Sequence, residues 1–135
     1  MALSKEIATI RDSADPDKNT AMGGHVTQHI YDMTPPPGTS QKGKTLFKSR
    51  KEFLDIWRQY LYHALGVNCS GRQAQEVVRC EKLHVGLLEA RSCTAVDAEG
   101  RCTRYTLYVA EAFFFGFLLV DSKWILHTCY PQPMA

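Results

Sequence analysis

The clearest hydrophobic pattern in the chain predicts an amphipathic helix near its middle. Between residues 53 and 64, apolar side chains recur at a spacing of three to four, which places them on one face of a helix. Ser49 precedes this stretch and Glu52 follows three residues later, the arrangement of a capping box. The pattern therefore predicts a helix over residues 50–65, with its basic first turn in water.

In the second half of the chain, the hydrophobic pattern changes to the alternation typical of strands. Leu83, Val85 and Leu87 alternate in this way and predict one strand. The turn-forming residues 97–101 separate two further runs and predict a hairpin. Residues 73–80 fit either a helix or a strand. The other predicted strands are the hairpin arms at 91–96 and 102–109, a buried strand at 113–120, and a closing strand at 124–130 that Pro131 and Pro133 end.

The first third of the chain predicts short helical turns. Residues 24–33 fit one or two turns of helix, which the three prolines at 35–37 must interrupt. Helices followed by an antiparallel sheet are typical of an α+β fold. We therefore expect N-terminal helices packed on a C-terminal antiparallel β-sheet. Residues 1–22 are polar and aperiodic, which predicts a linker or leader, and residues 23–135 are predicted to form a single domain.

Charge and cysteine content narrow the possible partners and sites. The chain of 135 residues has a net charge of only +2, but residues 21–66 carry six positive and three negative groups. Most of this excess lies in one run without an acid, formed by Lys42, Lys44, Lys48, Arg50 and Lys51. The five cysteines include no C-x-x-C pair. Most are expected to be buried small apolar groups, and a disulfide cannot be paired from the sequence.

Two histidines near the start are the first candidate for chemistry. His25 and His29 are four residues apart, so on a helix they would share a face and could bind a metal or exchange protons. The metalloprotease motif places Glu after its first histidine, whereas this chain has Val26. Acid–base chemistry without a metal is therefore the favoured interpretation. The structural alternative is a pair of capping or core histidines.

Two other segments add groups that can bind phosphate. Residues 38–45 fit the Walker A spacing literally, but prolines precede them instead of a buried strand. We interpret this segment as a loop whose lysines reach phosphate, or simply as a solvated loop. On a strand, Thr128 and Tyr130 would point to one side, and His127 and Cys129 to the other. Together with a histidine, the lysines and hydroxyls suit metal-free RNA cleavage, in which the 2′-hydroxyl attacks the adjacent phosphate.

The two ends of the chain also resemble a known family. The motifs Gly24-His25-x-x-x-His29-Ile30 and Thr128-x-Tyr130-Pro131 resemble the ribonuclease A-like toxin domains that end bacterial contact-dependent inhibition and polymorphic toxins. A broader similarity is to the barnase, endonuclease U and colicin nuclease group. The resemblance implies that His29 is the main acid–base group and that His25 assists it. It also implies that Thr128 and Tyr130 contact the scissile phosphate.

For the remaining roles, the resemblance gives only partial guidance. Lys44 is our candidate for the family's basic catalytic residue, with Lys42 as the second choice. Residues expected to bind RNA are Lys42, Thr45, Lys48, Arg50 and Lys51. No metal or cofactor is expected. The implied partners are RNA, with tRNA as one candidate, and a dedicated, acidic immunity protein, while a membrane is not implied and the domain alone is expected to be a monomer.

The resemblance further implies that the domain is secreted as part of a larger bacterial effector and acts in the cytoplasm of the target cell. Two other functions stay open. One is a non-catalytic immunity or adaptor protein, for which the phenylalanine-rich residues 113–117 would be a partly exposed interface. The other is a different nucleotide-directed toxin enzyme, such as an ADP-ribosyltransferase.

Overall fold

The computed structural model describes residues 25–63, 71–120 and 123–133. The predicted linker, residues 1–22, and the predicted end of the helix at residues 64–65 lie outside the described residues. In chain order the elements are a 3-10 helix at His25–His29, β1 at Thr45–Leu46, α1 at Arg50–His63, β2 at Gln73–Arg79, a second 3-10 helix at Cys80–Leu83, β3 at Leu88–Val96, β4 at Cys102–Val120 and β5 at Lys123–Pro133.

Strand β4 is the centre of the antiparallel sheet. Its first half pairs with β3, and its second half pairs with β2. Ala110 lies opposite both Leu88 of β3 and Pro133 of β5, so β5 must occupy the other edge of β4. The two-residue strand β1 extends the sheet beyond β3. The resulting sheet has one face that packs on α1, here named the inner face, and an opposite outer face.

The inner face and α1 form the main hydrophobic core. The buried residues of α1 are Phe53, Ile56, Trp57 and Tyr60, and they meet three fully buried side chains of β4, Phe113, Phe115 and Phe117. The rings of Tyr60 and Phe115 stack with centroids 4.0 Å apart. Three of the four phenylalanines between residues 113 and 117 are therefore core residues, and Phe114 is the one that stays partly exposed.

The helix prediction is confirmed within the described residues. The backbone N–H of Glu52 donates to the Ser49 hydroxyl over 3.1 Å, as in a capping box. The Glu52 carboxylate accepts a return bond from the N–H of Lys48 over 2.7 Å. The first turn is therefore satisfied by side chains that lie close in the sequence, which explains why a local pattern sufficed to find it.

The predicted α+β arrangement, with N-terminal helices packed on a C-terminal sheet, is wrong. The described residues are mainly antiparallel sheet, with one α-helix, and a strand precedes that helix. Where helical turns were predicted at 24–33, the chain makes one 3-10 turn and then leaves it. The reason is tertiary, because Ile30 forms a parallel bridge with Phe47 and Tyr31 donates to the Phe47 carbonyl over 2.9 Å.

Some of the strand predictions are confirmed and others are wrong. The hairpin is confirmed, and its turn closes with Asp97 donating to the Arg101 carbonyl over 2.9 Å. Residues 73–80, left open, form β2 over Gln73–Arg79. The strand predicted from Leu83 to Leu87 is wrong, because His84 takes a left-handed conformation with φ of 58° and ends a 3-10 turn.

The predicted end of the last strand at its prolines is also wrong, since β5 continues to Pro133. In the described part of the chain β5 pairs on one side only, with β4. A strand at an edge tolerates proline, because an N–H that would point away from the sheet is not needed. The second half of β4 then runs on from the hairpin arm as one strand of 19 residues.

The cysteines divide into a disulfide and buried thiols. Cys93 of β3 and Cys102 of β4 form a disulfide, whereas Cys80 and Cys129 are buried free thiols. Burial raises the pKa of both thiols, which keeps them protonated and unreactive. Cys69 lies outside the described residues. No helix in the described ranges is long and apolar enough to cross a membrane.

Candidate active site

His29 ends the first 3-10 helix, and its imidazole is held from two directions. Its Nδ1 lies 2.8 Å from the Thr45 carbonyl oxygen. Because a carbonyl oxygen only accepts hydrogen bonds, Nδ1 must carry a hydrogen and donate it. In the neutral ring, Nε2 is then the nitrogen that takes up a proton. The backbone carbonyl of His29 in turn accepts the N–H of Phe47 over 2.8 Å, which fixes the residue to the chain beyond β1.

Tyr130 of β5 is the second contact that holds the His29 imidazole. The rings of His29 and Tyr130 stack with centroids 5.0 Å apart and an angle of 25° between their planes. Tyr130 stacks in turn on Phe114 of β4, again at 5.0 Å, with an angle of 16°. The three rings form a row that runs from the end of the 3-10 helix over β5 to β4. The predicted pair His29 and Tyr130 is therefore brought into direct contact.

Thr128 occupies the next position along β5 on the same face as Tyr130. It lies opposite Gly116, as Tyr130 lies opposite Phe114, and opposite residues in antiparallel strands share a face. The Thr128 hydroxyl oxygen is buried and has no hydrogen-bond partner among the described residues. A Cβ on Gly116 would approach the Thr128 methyl group to 3.1 Å and the Phe114 ring to 3.0 Å. Glycine at this position thus leaves space beside the Thr128 side chain.

A β-bulge sets the direction of this part of β5. Gly116 pairs with Thr128, but the next residue, Phe117, pairs with Leu126, so His127 is an extra residue. Leu126 and Cys129 both lie in the core, and two residues instead of one separate them. Cys129 therefore points away from Thr128 and Tyr130, as predicted, whereas His127 departs from simple alternation. Burial lowers the pKa of the His127 imidazole.

Thr45 of β1 was predicted to bind RNA, and the structure gives it a second role in supporting the site. Its carbonyl accepts the His29 hydrogen bond, while its side chain is hydrogen-bonded to the Tyr108 hydroxyl. Tyr108 donates to the Pro131 carbonyl over 2.7 Å and so ties β4 to β5 beside Tyr130. Burial raises the pKa of Tyr108 to about 12, and the Thr45 hydrogen bond opposes that rise. Tyr108 is therefore a neutral structural link and not a proton donor for chemistry near pH 7.

The two lysines considered for catalysis are not placed against His29. The Lys44 ammonium donates to the Ser40 carbonyl over 3.0 Å, which holds it on the loop before β1. Lys42 is exposed, and its backbone N–H donates to the Ser40 hydroxyl over 3.0 Å. Both residues belong to a loop that reaches β1, but the described contacts do not assign either cation to the site of His29, Thr128 and Tyr130.

The remaining basic residues lie around the start of α1. Lys48 is exposed, and the backbone N–H of Arg50 donates to Asp32 over 2.8 Å. Lys51 forms an ion pair with Asp55 over 2.8 Å while keeping 85% of its side chain exposed. The hydrogen bond from Lys51 lowers the pKa of the Asp55 carboxyl. The basic run of the sequence is thus spread over a loop and a helix start.

His25 opens the 3-10 helix, and its side chain lies outside the described part of the structure. Residues four apart share a face in an α-helix, but a 3-10 helix aligns residues three apart. The argument for a shared face of His25 and His29 therefore fails on the backbone. Among the described residues, no group of three or more metal-binding side chains is found.

Gln41 is a residue that the sequence reasoning missed. It is fully buried, and its amide nitrogen lies 2.7–3.1 Å from the carbonyl oxygens of Thr27, Ile30 and Met33. Its amide oxygen accepts the N–H of Cys102 over 2.8 Å. Gln41 thereby joins the backbone on both sides of His29 to the start of β4. A glutamine in a polar loop gives no periodic signal, so the pattern along the chain could not reveal it.

Comparisons with known proteins give little to set beside this geometry. No family model matches the chain, and no curated protein matches it. One solved structure is similar, a Xanthomonas campestris protein described as a calcium/calmodulin dependent protein kinase II association domain. The identity is 15%, the alignment covers 99% of this chain and 89% of that one, and the TM-score is 0.30. A likeness at that level carries no argument about fold or function.

Proposed function

We propose that this chain is a metal-independent endoribonuclease toxin domain that cleaves RNA by attack of the 2′-hydroxyl on the adjacent phosphate. A base takes the 2′-hydroxyl proton, the 2′-oxygen bonds to phosphorus, and the bond from phosphorus to the 5′-oxygen breaks. The departing 5′-oxygen takes up a proton. The products are a 2′,3′-cyclic phosphate and a free 5′-hydroxyl.

The observation that carries this proposal is the fixed imidazole of His29 beside Tyr130. The hydrogen bond from Nδ1 to the Thr45 carbonyl selects Nε2 as the basic atom of the neutral ring. The stack on Tyr130 limits rotation of the imidazole. A histidine with a selected tautomer and orientation suits proton transfer near neutral pH. We assign one of the two proton transfers to His29 and leave the group for the other unassigned.

Thr128 and Tyr130 would stabilise the charge that develops on the phosphate. The Thr128 hydroxyl is buried without a partner among the described residues, so a shift of its side chain toward a bound phosphate would break no hydrogen bond. Tyr130 shares its face of β5, opposite Phe114. Donors that are already oriented toward the developing charge cost little reorganisation in the transition state. Both hydroxyls are proposed to donate to the non-bridging phosphate oxygens.

Lys44 is proposed as the cation that approaches the bound phosphate. To do so, its ammonium must leave the Ser40 carbonyl, to which it donates over 3.0 Å. We expect Lys44→Ala to lower the cleavage rate by about 100-fold, in the range found when one charge-stabilising donor is removed. A smaller loss, shared with Lys42→Ala, would indicate that these loop lysines act only by attracting RNA.

The central experiment incubates the purified chain with total bacterial RNA in EDTA and analyses the product ends. Wild-type protein should give 2′,3′-cyclic phosphate ends, and His29→Ala should lower the rate by a factor of about 100 to 10,000. His84→Asn is the matched control. It also removes an imidazole, but His84 is an exposed residue whose left-handed conformation asparagine tolerates.

Three results would count against the proposal. If His29→Ala retains full activity, the assignment of the site is wrong. If cleavage needs a divalent cation, the reaction class is wrong. RNA that stays intact with folded wild-type protein over a range of concentrations would favour the non-catalytic binding protein. In that case a search for the protein partner of this chain becomes the next measurement.

A further inference from the structure

A cationic group outside the basic run lies on the outer face of the sheet. Arg91 of β3 sets its guanidinium carbon 4.2 Å from the ring centre of Tyr31 and 4.5 Å from that of Tyr105. The two rings meet edge to face, with centres 5.4 Å apart. Cation–π contacts with two rings hold the planar guanidinium in one orientation. We name Arg91, Tyr31 and Tyr105 the arginine cluster.

In the part of the chain that the structure describes, no carboxylate lies within salt-bridge distance of the Arg91 guanidinium. Within the described residues, the Arg91 guanidinium forms no salt bridge and no hydrogen bond. Its cross-strand neighbours are Leu46 on one side and Leu107 on the other, and neither side chain can accept a hydrogen bond. A partly buried cation that is oriented by stacking and keeps its five donors is suited to bind a phosphate group.

The arginine cluster lies next to His29 along the chain. Tyr31 is two residues beyond His29, so their Cα atoms can be at most about 7 Å apart. Both residues are fixed to the same partner, because Phe47 donates to the His29 carbonyl and accepts from the Tyr31 N–H. Between them, Ile30 is fully buried in the main core. A strand of RNA bound at His29 would therefore pass close to Tyr31 and the guanidinium beside it.

From this arrangement we propose that the arginine cluster is a subsite for a phosphate of single-stranded RNA that neighbours the phosphate being cleaved. The subsite rests on the proposed ribonuclease function. Arg91 binds the non-bridging phosphate oxygens, and the two tyrosine rings hold the guanidinium in place. The subsite strengthens binding of longer RNA and takes no part in proton transfer at His29.

The test measures binding without cleavage. A fluorescein-labelled RNA of twelve nucleotides, with every 2′-hydroxyl methylated, lacks the nucleophile and stays intact. Its dissociation constant is measured by anisotropy at several salt concentrations for wild-type protein and for Arg91→Met, which keeps an apolar side chain between the tyrosines. We expect Arg91→Met to bind about tenfold more weakly. The slope of log affinity against log salt should also fall by about 0.7, the value for one phosphate contact on a single strand.

Arg104→Met is the matched control, because Arg104 is exposed on the same sheet, adjacent to Tyr105 and so on the opposite side of β4. It removes the same charge and should leave affinity within about twofold and the salt slope unchanged. Arg91→Lys should recover part of the slope, because it restores the charge without the planar fork. Thermal unfolding of each variant confirms that it is folded.

The outcomes separate the subsite from the proposed function. If Arg91→Met and Arg104→Met bind the methylated RNA equally well, or if wild-type protein does not bind it, the subsite is overturned. If Arg91→Met weakens binding as expected while wild-type protein leaves unmodified RNA intact, the phosphate subsite stands and the ribonuclease function falls. If wild-type protein cleaves unmodified RNA and Arg91→Met binds the methylated RNA as well as wild-type protein does, the ribonuclease function stands and the phosphate subsite falls.

Discussion

The two faces of β4 are built from neighbouring residues but have different surroundings. On the inner face, Phe113, Phe115 and Phe117 are fully buried against α1 and the rest of the core. On the outer face, Phe114 is partly buried in a row of rings with Tyr130 and His29. Farther toward the start of the strand, Glu111 is an extra residue between Ala110 and Ala112, so the alternation shifts by one. Beyond that shift the outer face carries Leu107 and Val109, which are 55% and 43% exposed.

The difference shows how four phenylalanines in a five-residue segment can serve two purposes. Side chains alternate between the faces of a strand, so each residue that stabilises the core is followed by one that is available for a site. Gly116 extends this division, because its missing side chain leaves space beside Thr128. Inner-face substitutions should therefore change stability more than activity, and outer-face substitutions should do the opposite.

Paired truncations on the two faces should show the largest effect. Phe115→Ala removes a fully buried ring that stacks on Tyr60 and should lower the free energy of unfolding by about 3–5 kcal/mol. Phe114→Ala removes a partly buried ring and should cost less than about 2 kcal/mol. Urea denaturation measures both. Phe114→Ala should also slow RNA cleavage, because Tyr130 loses one of its two stacked neighbours.

Equal losses of stability from the two substitutions would erase the distinction between the faces. The distinction would also be lost if Phe114→Ala has the wild-type cleavage rate per folded molecule. Phe117→Ala supplies the internal control, because Phe117 is also in the core and packs on Trp57 and Tyr60. It should resemble Phe115→Ala in stability and leave the cleavage rate per folded molecule unchanged.

Removing the disulfide should produce the next largest loss of stability. The disulfide joins the two strands of the hairpin, and its cysteines form a small second core cluster with Leu46. The cysteines are nine residues apart, and cross-linking a loop of that size stabilises a protein by about 2–3 kcal/mol in the chain-entropy model. Dithiothreitol should therefore lower the unfolding free energy of the wild-type protein by that amount.

The Cys93→Ala/Cys102→Ala double variant is the control for the reductant and should unfold at the same urea concentration with and without it. If the urea midpoint of the wild-type protein is the same with and without the reductant, the non-covalent contacts of this cluster are enough to stabilise the hairpin. Loss of His29-dependent activity on reduction is also expected, because the Cys102 N–H bonds to Gln41, which holds the backbone around His29.

The sequence predicted the elements whose causes lie close together in the chain. Helix α1 has its cap at Ser49 and Glu52, and the hairpin has its turn between its own strands. Both causes act within a few residues. By contrast, the helix predicted at 24–33 fails because distant residues determine that segment. Phe47 bridges Ile30, and Gln41 binds carbonyls that a longer helix would need.

The candidate site was predictable in part for the same reason. Thr128 and Tyr130 share a face because alternation holds between them, and their common face needed no distant information. The stack of His29 on Tyr130 joins residues 101 positions apart. The sequence suggested that these side chains serve one site, but it did not predict their ring contact. The position of the Lys44 ammonium on the Ser40 carbonyl, and the extra residue His127 in β5, follow from the fold and leave no mark in a single sequence.

A smaller effect is expected from a methyl group added between the two outer-face residues of the site. In Gly116→Ala, the new Cβ would lie 3.0 Å from the Phe114 ring and 3.1 Å from the Thr128 methyl group. Both neighbours are side chains, so they can shift by a few tenths of an ångström, at a cost of about 1 kcal/mol in stability. The shift should move Thr128 and lower the cleavage rate by about tenfold.

Gly86→Ala is the control for this change, because an added Cβ at Gly86 meets no described atom within 4 Å. Its cleavage rate should match that of the wild-type protein. If Gly116→Ala cleaves RNA normally at unchanged stability, then the space beside Thr128 is not needed for the reaction, and the glycine serves only the close packing of the strands.

The smallest expected effect concerns the pH dependence that His127 adds to stability. Burial lowers the pKa of His127 below its ordinary value of 6.5, so the unfolded chain binds a proton more readily than the folded protein. Stability from this group is complete above pH 6.5 and is lost as the pH falls from 6.5 toward the lowered value. His127→Gln keeps a polar side chain and removes this titration.

When the pH is lowered from 7.5 to 5.5, the urea concentration at the unfolding midpoint should therefore fall further for the wild-type protein than for His127→Gln. The lowered pKa of Asp55 acts below its ordinary value of 3.8, which separates it from this interval. Parallel changes in the two proteins would mean that the bulge leaves His127 in water in both states. A steeper change in the wild-type protein would show that the bulge keeps a neutral imidazole between Leu126 and Thr128.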